Sequence, residues 1–373
     1  MTRSRLGLGK VSGIPVRIDA SWLVIFVWVA WSLAASYFPG MYPSWSTQLT
    51  WLMALVTGLL FFASVLLHEL GHALIARSQG IPVKDITLFL FGGVSNIADE
   101  PGTPREELLM AAAGPLVSLV LSALLGALRL LLRNGSQPLA ALTLFLAGAN
   151  LSLALFNLIP GFPLDGGRVL RAVLWGARQD LAWATRWASR VGQAVAYIFI
   201  LSGMVRAFLG DWVSGVWIAF VGLFLENAAR SAQLQLTLRS LLDGHAVGEV
   251  MNRDCQTLPP QLTLDLLVGQ YLLRGAGRCF TVGTRDNVLG LLTIHNVRGV
   301  PRQQWPTTHV SDVFTPLAEL RVVAPETPLW NALSEMTAEG VNQLPVLEDG
   351  KLVGMISRDS LLSFIRSRSE LGV

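Results

Sequence analysis

This chain is poor in charge. Only 14% of its 373 residues are Asp, Glu, Lys or Arg, where soluble domains run near a quarter, and mean hydropathy is +0.51. From Ala20 to Leu67 there is no charged residue at all, and uncharged runs recur at 108–128, 134–164, 191–205 and 212–225. A single soluble domain is excluded. Beyond the last run charged residues are frequent to the C-terminus, which predicts a polytopic α-helical membrane domain over 1–230, a linker over 231–246 and a soluble domain after it. Cysteine is rarer still. Cys255 and Cys279 are the whole complement, which excludes a disulfide framework and any thiolate metal site in the membrane part. Their lack of metal spacing predicts free thiols in a reducing compartment. A net charge of +3 with no basic stripe excludes nucleic acid as a partner and leaves the lipid bilayer as the first one.

About 20 apolar residues cross the hydrocarbon layer, and six spans fit: 20–38, 51–77, 109–130, 139–158, 191–209 and 212–230. The segments 1–19, 78–108, 159–190 and 231–373 carry most of the Arg and Lys, beginning with Arg3, Arg5, Lys10 and Arg17, while 39–50 has none. The positive-inside rule then places both termini in the cytoplasm, with Arg129 and Arg133 on the wrong side of that assignment. The first apolar run exceeds a signal-peptide core, so it reads as an uncleaved span. Between spans two and three, Val83–Ala98 reads as short strands: Ile86 to Phe91, a Gly92-Gly93 turn, then Val94 to Ile97. A strand pair at membrane depth is tolerable only where protein or a cavity satisfies its backbone, and an exposed edge there could accept an extended peptide.

Against this apolar background stands His68-Glu69-Leu70-Gly71-His72. Histidines four apart on a helix are separated by about 400° of rotation, so both rings leave one face, one turn apart. That spacing suits two nitrogen ligands of one Zn2+, with Glu69 placed to act as general base on an activated water. A helix cap or packing cluster is the bland alternative. Ionisable groups in a membrane helix cost roughly 2.5–3.5 kcal/mol each, so they are rarely there without a task. A catalytic zinc takes three protein ligands. No cysteine and no other histidine precedes His245, so the third ligand is expected to be a carboxylate. Asp165 stands out, in the run from Asn157 through Pro160, Gly161, Pro163, Gly166 and Gly167 to Arg168. Those prolines and glycines break a helix where the fourth span ends.

Residues 247–370 contain an internal repeat of about 64 positions, the kind of self-similarity that must be found before any fold is assigned. Val247–Met251 answers to Val310–Phe314, and Leu289–Thr293 answers to Val353–Ser357. Each unit reads strand, helix, strand, strand, helix, and Glu348-Asp349-Gly350-Lys351 is a tight hairpin signal. Two α/β units in tandem imply a pseudo-symmetric pair, 247–304 and 305–373, with a shared cleft.

At these residues the chain resembles the site-2 protease family of intramembrane zinc metalloproteases. The resemblance rests on His68–His72, the Phe91-Gly92-Gly93 region, Ala113-Gly114-Pro115 and the run Asn157–Arg171. It implies zinc on His68, His72 and Asp165, Glu69 as base, and Asn157 binding substrate or stabilising the tetrahedral intermediate. It also implies a membrane-anchored protein substrate whose transmembrane segment is cut. The segment 78–108 is too short to hold an inserted PDZ-like domain. The tandem repeat resembles cystathionine-β-synthase (CBS) domains, which often bind adenine nucleotides. Here the family's ribose-binding Asp is replaced by Asn296 and Ser360, with Asp359 one position early. Adenine-nucleotide binding is thus expected to be weak or absent, and the pair to act through homodimerisation or contact with the membrane domain. Two other classes compete with the protease: a CBS-gated ion transporter using the His/Asp cluster as a transport site, and a silent metal-stabilised scaffold. Transport does not require Glu69 beside the metal. Hydrolysis does.

Overall fold

A computed structural model describes residues 5–89, 92–97, 101–132, 135–272, 280–284 and 287–371. Arg3, Phe91, Ala98, Arg133 and Cys279, on which expectations fell, lie outside them. The chain divides into two compact units, Met1–Leu234 and Gln235–Val373.

The first unit opens on a hairpin, β1 (Arg5–Val11) and β2 (Ile14–Asp19), where a charged connecting segment was expected. Ser12 and Gly13 both take positive φ, 50° and 80°, as a two-residue turn requires, and the alternation Ile14, Val16, Ile18 gives the second strand one apolar face. β2 pairs in parallel with β3 (Val83–Phe89), and β3 pairs antiparallel with β4 (Gly92–Ile97), giving the order β1-β2-β3-β4. The strand pair is therefore half of a four-stranded sheet, with Ile14, Val16, Ile86 and Leu88 buried. Gly92 and Gly93, expected as a turn, belong to β4 and pair with Phe89 and Leu88.

Six helices among the described residues are long and apolar enough to cross a membrane: α1 (Ala20–Met41), α2 (Thr47–Ser78), α3 (Pro104–Leu132), α4 (Gln137–Asn157), α6 (Leu181–Phe208) and α7 (Trp212–Leu242). A shorter helix, α5 (Asp165–Arg178), lies between α4 and α6. Large apolar side chains such as Leu131, Phe208 and Val213 stand more than four-fifths exposed, which a lipid solvent favours and water does not. The polar residues turn inward. Asn150 of α4 is fully buried and donates its amide to Ser64 Oγ of α2 at 3.2 Å, the kind of contact that joins membrane helices. α6 begins well before the expected residue 191 because its first turns are amphipathic, and the Arg178 and Arg190 guanidiniums lie over the Trp183 and Trp187 rings. α7 runs unbroken through most of the expected 231–246 linker.

In the second unit β5 (Gln256–Leu258), β6 (Phe280–Thr284), β7 (Asn287–Leu292) and β8 (Thr315–Pro316) form one sheet, and β9 (Gln343–Glu348) with β10 (Lys351–Ser357) another. The β9–β10 turn places Asp349 and Gly350 at φ 50° and 76°, as its sequence predicts. The internal repeat appears as reciprocal exchange. Leu291 pairs with Thr315 and Met355 with Asn252, while Ala246 pairs with Pro328 and His309 with Thr263. Val310 is buried in the core of the first repeat, and Val247 in that of the second. Each repeat thus completes its core with the other's leading segment. Gly290 and Gly354 are glycine for this reason, since a Cβ at either would overlap the exchanged carbonyl, of Thr315 or Asn252.

One expectation is corrected here. Cys255 is disulfide-bonded, not a free thiol. It directly precedes β5, and its pairing is a tertiary fact that spacing along the chain conceals.

Candidate active site

Helix α2 supplies the centre. His68 and His72 are 3% and 5% exposed, and both point Nε2 at one carboxylate oxygen. His68 Nε2 and His72 Nε2 each lie 3.2 Å from Asp165 Oδ2 and 3.3 Å from one another. Four ligands about 2.0–2.1 Å from a zinc ion in a tetrahedron stand about 3.3–3.4 Å apart. Three donors already spaced as one face of that tetrahedron, two nitrogens and an oxygen, fit the ion. The opposite ring nitrogens turn to α3: His68 Nδ1 lies 2.9 Å from Ser118 Oγ, and His72 Nδ1 lies 2.7 Å from the Met110 carbonyl.

Asp165 arrives from a distant segment because the chain folds back sharply after α4. A Cβ at Gly166 would collide with the Leu158 and Ile159 carbonyls, and one at Gly167 with the backbone of Gly161 and Phe162. Glycine at both positions lets α5 start against the end of α4, with Asp165 as its first residue. α5 is also anchored to α3. Arg171 donates Nε to Glu107 Oε1 at 2.6 Å, its guanidinium lies over the Phe162 ring, and Arg168 Nε stands 3.9 Å from the same oxygen of the fully buried Glu107.

Glu69 is held by β4. Ser95 Oγ lies 2.9 Å from Glu69 Oε2 and 3.1 Å from the Glu69 carbonyl, and its single hydrogen can be donated to either. The base also lies against Gly93, where a Cβ would overlap Glu69 Cγ. Asn157, at the end of α4, spends one amide hydrogen on the Leu153 carbonyl at 3.0 Å, leaving the second for another acceptor. His68, Glu69, His72, Asn157, Asp165 and Arg168 all line one cavity of about 770 Å³, whose remaining wall is largely apolar and includes Trp28, Phe61, Phe62, Trp217 and Phe220. The five residues singled out from the sequence are therefore brought to one place. Sequence reasoning missed their supports, Ser118, Glu107, Arg171 and Ser95. Glu107 carried the one available signal, as the last charged residue before the apolar run of α3. A carboxylate beside an N,N,O donor set in a largely apolar cavity is equipped to activate water against a carbonyl.

Comparison with known proteins gives the same direction. The model of peptidase family M50 matches residues 56–135 and 132–201, and that of the CBS domain matches residues 310–367. The chain is 34% identical over 367 residues to a Mycobacterium tuberculosis protein named "Putative zinc metalloprotease Rip3", covering 97% of this chain and 93% of that one. It is 26% identical over 373 residues to "Zinc metalloprotease MJ0392" of Methanocaldococcus jannaschii, covering 98% of each. Among solved structures, a site-2 protease from Methanocaldococcus jannaschii aligns at 30% identity and a TM-score of 0.42, covering 61% of this chain and 95% of that one.

Proposed function

Because the chain belongs to peptidase family M50, the site-2 protease family of membrane-embedded zinc metalloproteases, we propose that it cuts a peptide bond within or beside the transmembrane segment of a membrane-anchored protein. His68, His72 and Asp165 hold the zinc, which when bound supplies the Lewis acid that polarises water and the scissile carbonyl. Glu69 takes the proton of the attacking water and returns it to the leaving amine. The uncommitted amide hydrogen of Asn157 donates to the oxyanion, an interaction whose loss typically costs about 10²–10³ in rate. An intact helix hides its carbonyls, so the substrate unwinds locally and pairs with the outer edge of β4, which has no strand partner among the described residues. The observation that carries this reading is the Glu69 carboxylate opening into the same cavity as the three-donor triangle.

The test is accumulation. In cells carrying Glu69→Gln, at least one membrane-anchored protein should persist uncut and crosslink to the variant, and the wild type should convert it to shorter fragments. An identical set of membrane proteins in both cells would overturn the proposal.

The orientation read from the charges extends it. Both termini and the CBS pair lie in the cytoplasm, where they are in a position to regulate cleavage. In a background with Cys255 and Cys279 replaced, single cysteines placed in 39–48 should label from outside intact cells, and cysteines placed in 231–246 should not. External labelling of 231–246 would overturn the orientation.

Regulation by an adenine nucleotide at the usual CBS position is not expected, and the local contacts support that. Asn296 Oδ1 accepts from the Thr293 amide at 3.0 Å and its hydroxyl at 2.5 Å, and its Nδ2 donates to Thr315 Oγ1 at 3.1 Å. Ser360 Oγ accepts from the Ser357 amide at 3.1 Å. Both side chains lie in the first turn of a helix, Ile294–Arg298 or Arg358–Leu371, where they are engaged by the residue that precedes it, and they offer no carboxylate to vicinal hydroxyls. A hydrogen bond to a charged group is worth about 1.5–3 kcal/mol, so calorimetry with ATP or AMP should return affinities weaker than micromolar. Micromolar or tighter binding would refute the prediction.

A further inference from the structure

The helix that completes the metal site contributes no ligand to it. On α3, Met110, Gly114 and Ser118 are spaced four apart and so share a face, and all three meet the histidine pair. The Met110 carbonyl takes His72 Nδ1, Ser118 Oγ takes His68 Nδ1, and Gly114 lies between them, directly over both Nε2 atoms. A Cβ at 114 would overlap both of those nitrogens. An imidazole binds metal through whichever nitrogen is unprotonated, and the hydrogen bond made by the other nitrogen decides which that is. We propose that Ser118 is the positioning residue of the metal site: its hydroxyl accepts the Nδ1 hydrogen of His68, and so fixes both the tautomer and the ring plane that present Nε2 to zinc. This rests on the assignment of His68 as a zinc ligand.

The two histidines differ in what holds them. His72 is held by a backbone carbonyl that no side-chain substitution removes. His68 depends on a side chain, and Ser118 is fully buried. Without its hydroxyl, the Nδ1 hydrogen faces an apolar helix surface, and the ring is free to rotate or to take the other tautomer. The same helix offers an internal control one turn further on, where Ser122 Oγ donates to the Ala147 carbonyl of α4 at 2.8 Å. That serine packs helices and touches no ligand.

The experiment measures zinc affinity of the full-length protein in detergent, by competition with a chromophoric chelator, without any substrate. Outer-shell partners of ligating histidines typically contribute about 10–100-fold to metal affinity. Ser118→Ala should weaken zinc binding by that factor. Ser118→Thr and Ser118→Val have nearly the same shape and differ by the hydroxyl, so Thr should bind within about threefold of wild type and Val should fall with Ala. Ser122→Ala should bind as wild type does. Cobalt loaded in place of zinc should show an altered visible spectrum in Ser118→Val and an unaltered one in Ser118→Thr. Equal affinity for the Thr and Val proteins would overturn the role of the hydroxyl, as would equal losses at 118 and 122. His68→Ala is measured beside them. If it retains zinc, the ligand assignment falls and the inference with it. If it loses zinc while Ser118→Val does not, only the inference falls.

Discussion

Asp165→Ala should leave a protein that folds and inserts but holds far less than the one zinc per chain expected of a three-ligand site, with proteolysis at background. His68→Ala and His72→Ala should do the same. The expectation is severe because the site has no spare donor. Among the described residues, His68, His72 and Asp165 form the only group of three His, Cys, Asp or Glu side chains close enough to share an ion. Each removal leaves two protein ligands on a metal whose catalytic sites use three. Asp165 is the most instructive of the set, since it begins α5 and reaches both histidines of α2 from a distant segment of the chain. Zinc content by elemental analysis of purified protein decides the matter. Full occupancy in Asp165→Ala would remove the carboxylate from the ligand set.

What the sequence makes legible follows from where its constraints are local. The six spans are recoverable because hydrocarbon imposes one rule along some 20 residues at a time, and a charge-free run cannot be mistaken for much else. The motif His68–His72 is legible because helical rotation fixes which side chains share a face. The N-terminal hairpin escaped because its seven-residue strand carries Lys10 and two glycines, which weigh toward a basic connecting segment until the Ser12-Gly13 turn is read with the alternation that follows. The pairing of Cys255 escaped for a related reason, since tertiary structure and not spacing along the chain decides whether a cysteine finds a partner.

At the site, ligands and base were legible and their supports were not. A ligand announces itself by chemical type: histidine is rare here, and only two occur before His245. Ser118 is one of many serines, and its role depends on α3 crossing α2 at the height of His68. The Glu107–Arg171 pair is likewise invisible along the chain. Burying a carboxylate without its partner is strongly destabilising, by about 3–5 kcal/mol when one member of such a pair is removed. That cost gives Glu107 and Arg171 an architectural weight that their separation in sequence conceals.

Glu69→Gln should separate chemistry from metal. The amide matches the carboxylate in size, and its oxygen still accepts from Ser95 Oγ, so the side chain stays against Gly93 where β4 holds it. None of the three zinc ligands is altered, and zinc content should remain near one per chain. Only the proton acceptor is gone. General acid–base catalysis contributes about 10²–10⁴ in rate, and cleavage of a membrane-anchored protein identified by its accumulation should fall by at least about 10². Glu69→Asp sharpens the result. It retains a base but draws the carboxylate back by one methylene, away from Ser95 and from the cavity, so it should cut more slowly than wild type and faster than the Gln protein. A Gln variant that loads zinc and cuts at the wild-type rate would show that Glu69 is not the base. One that loads zinc and does not cut would leave a metal site intact beside a disabled hydrolase, a separation that neither an ion-transport site nor a structural metal predicts.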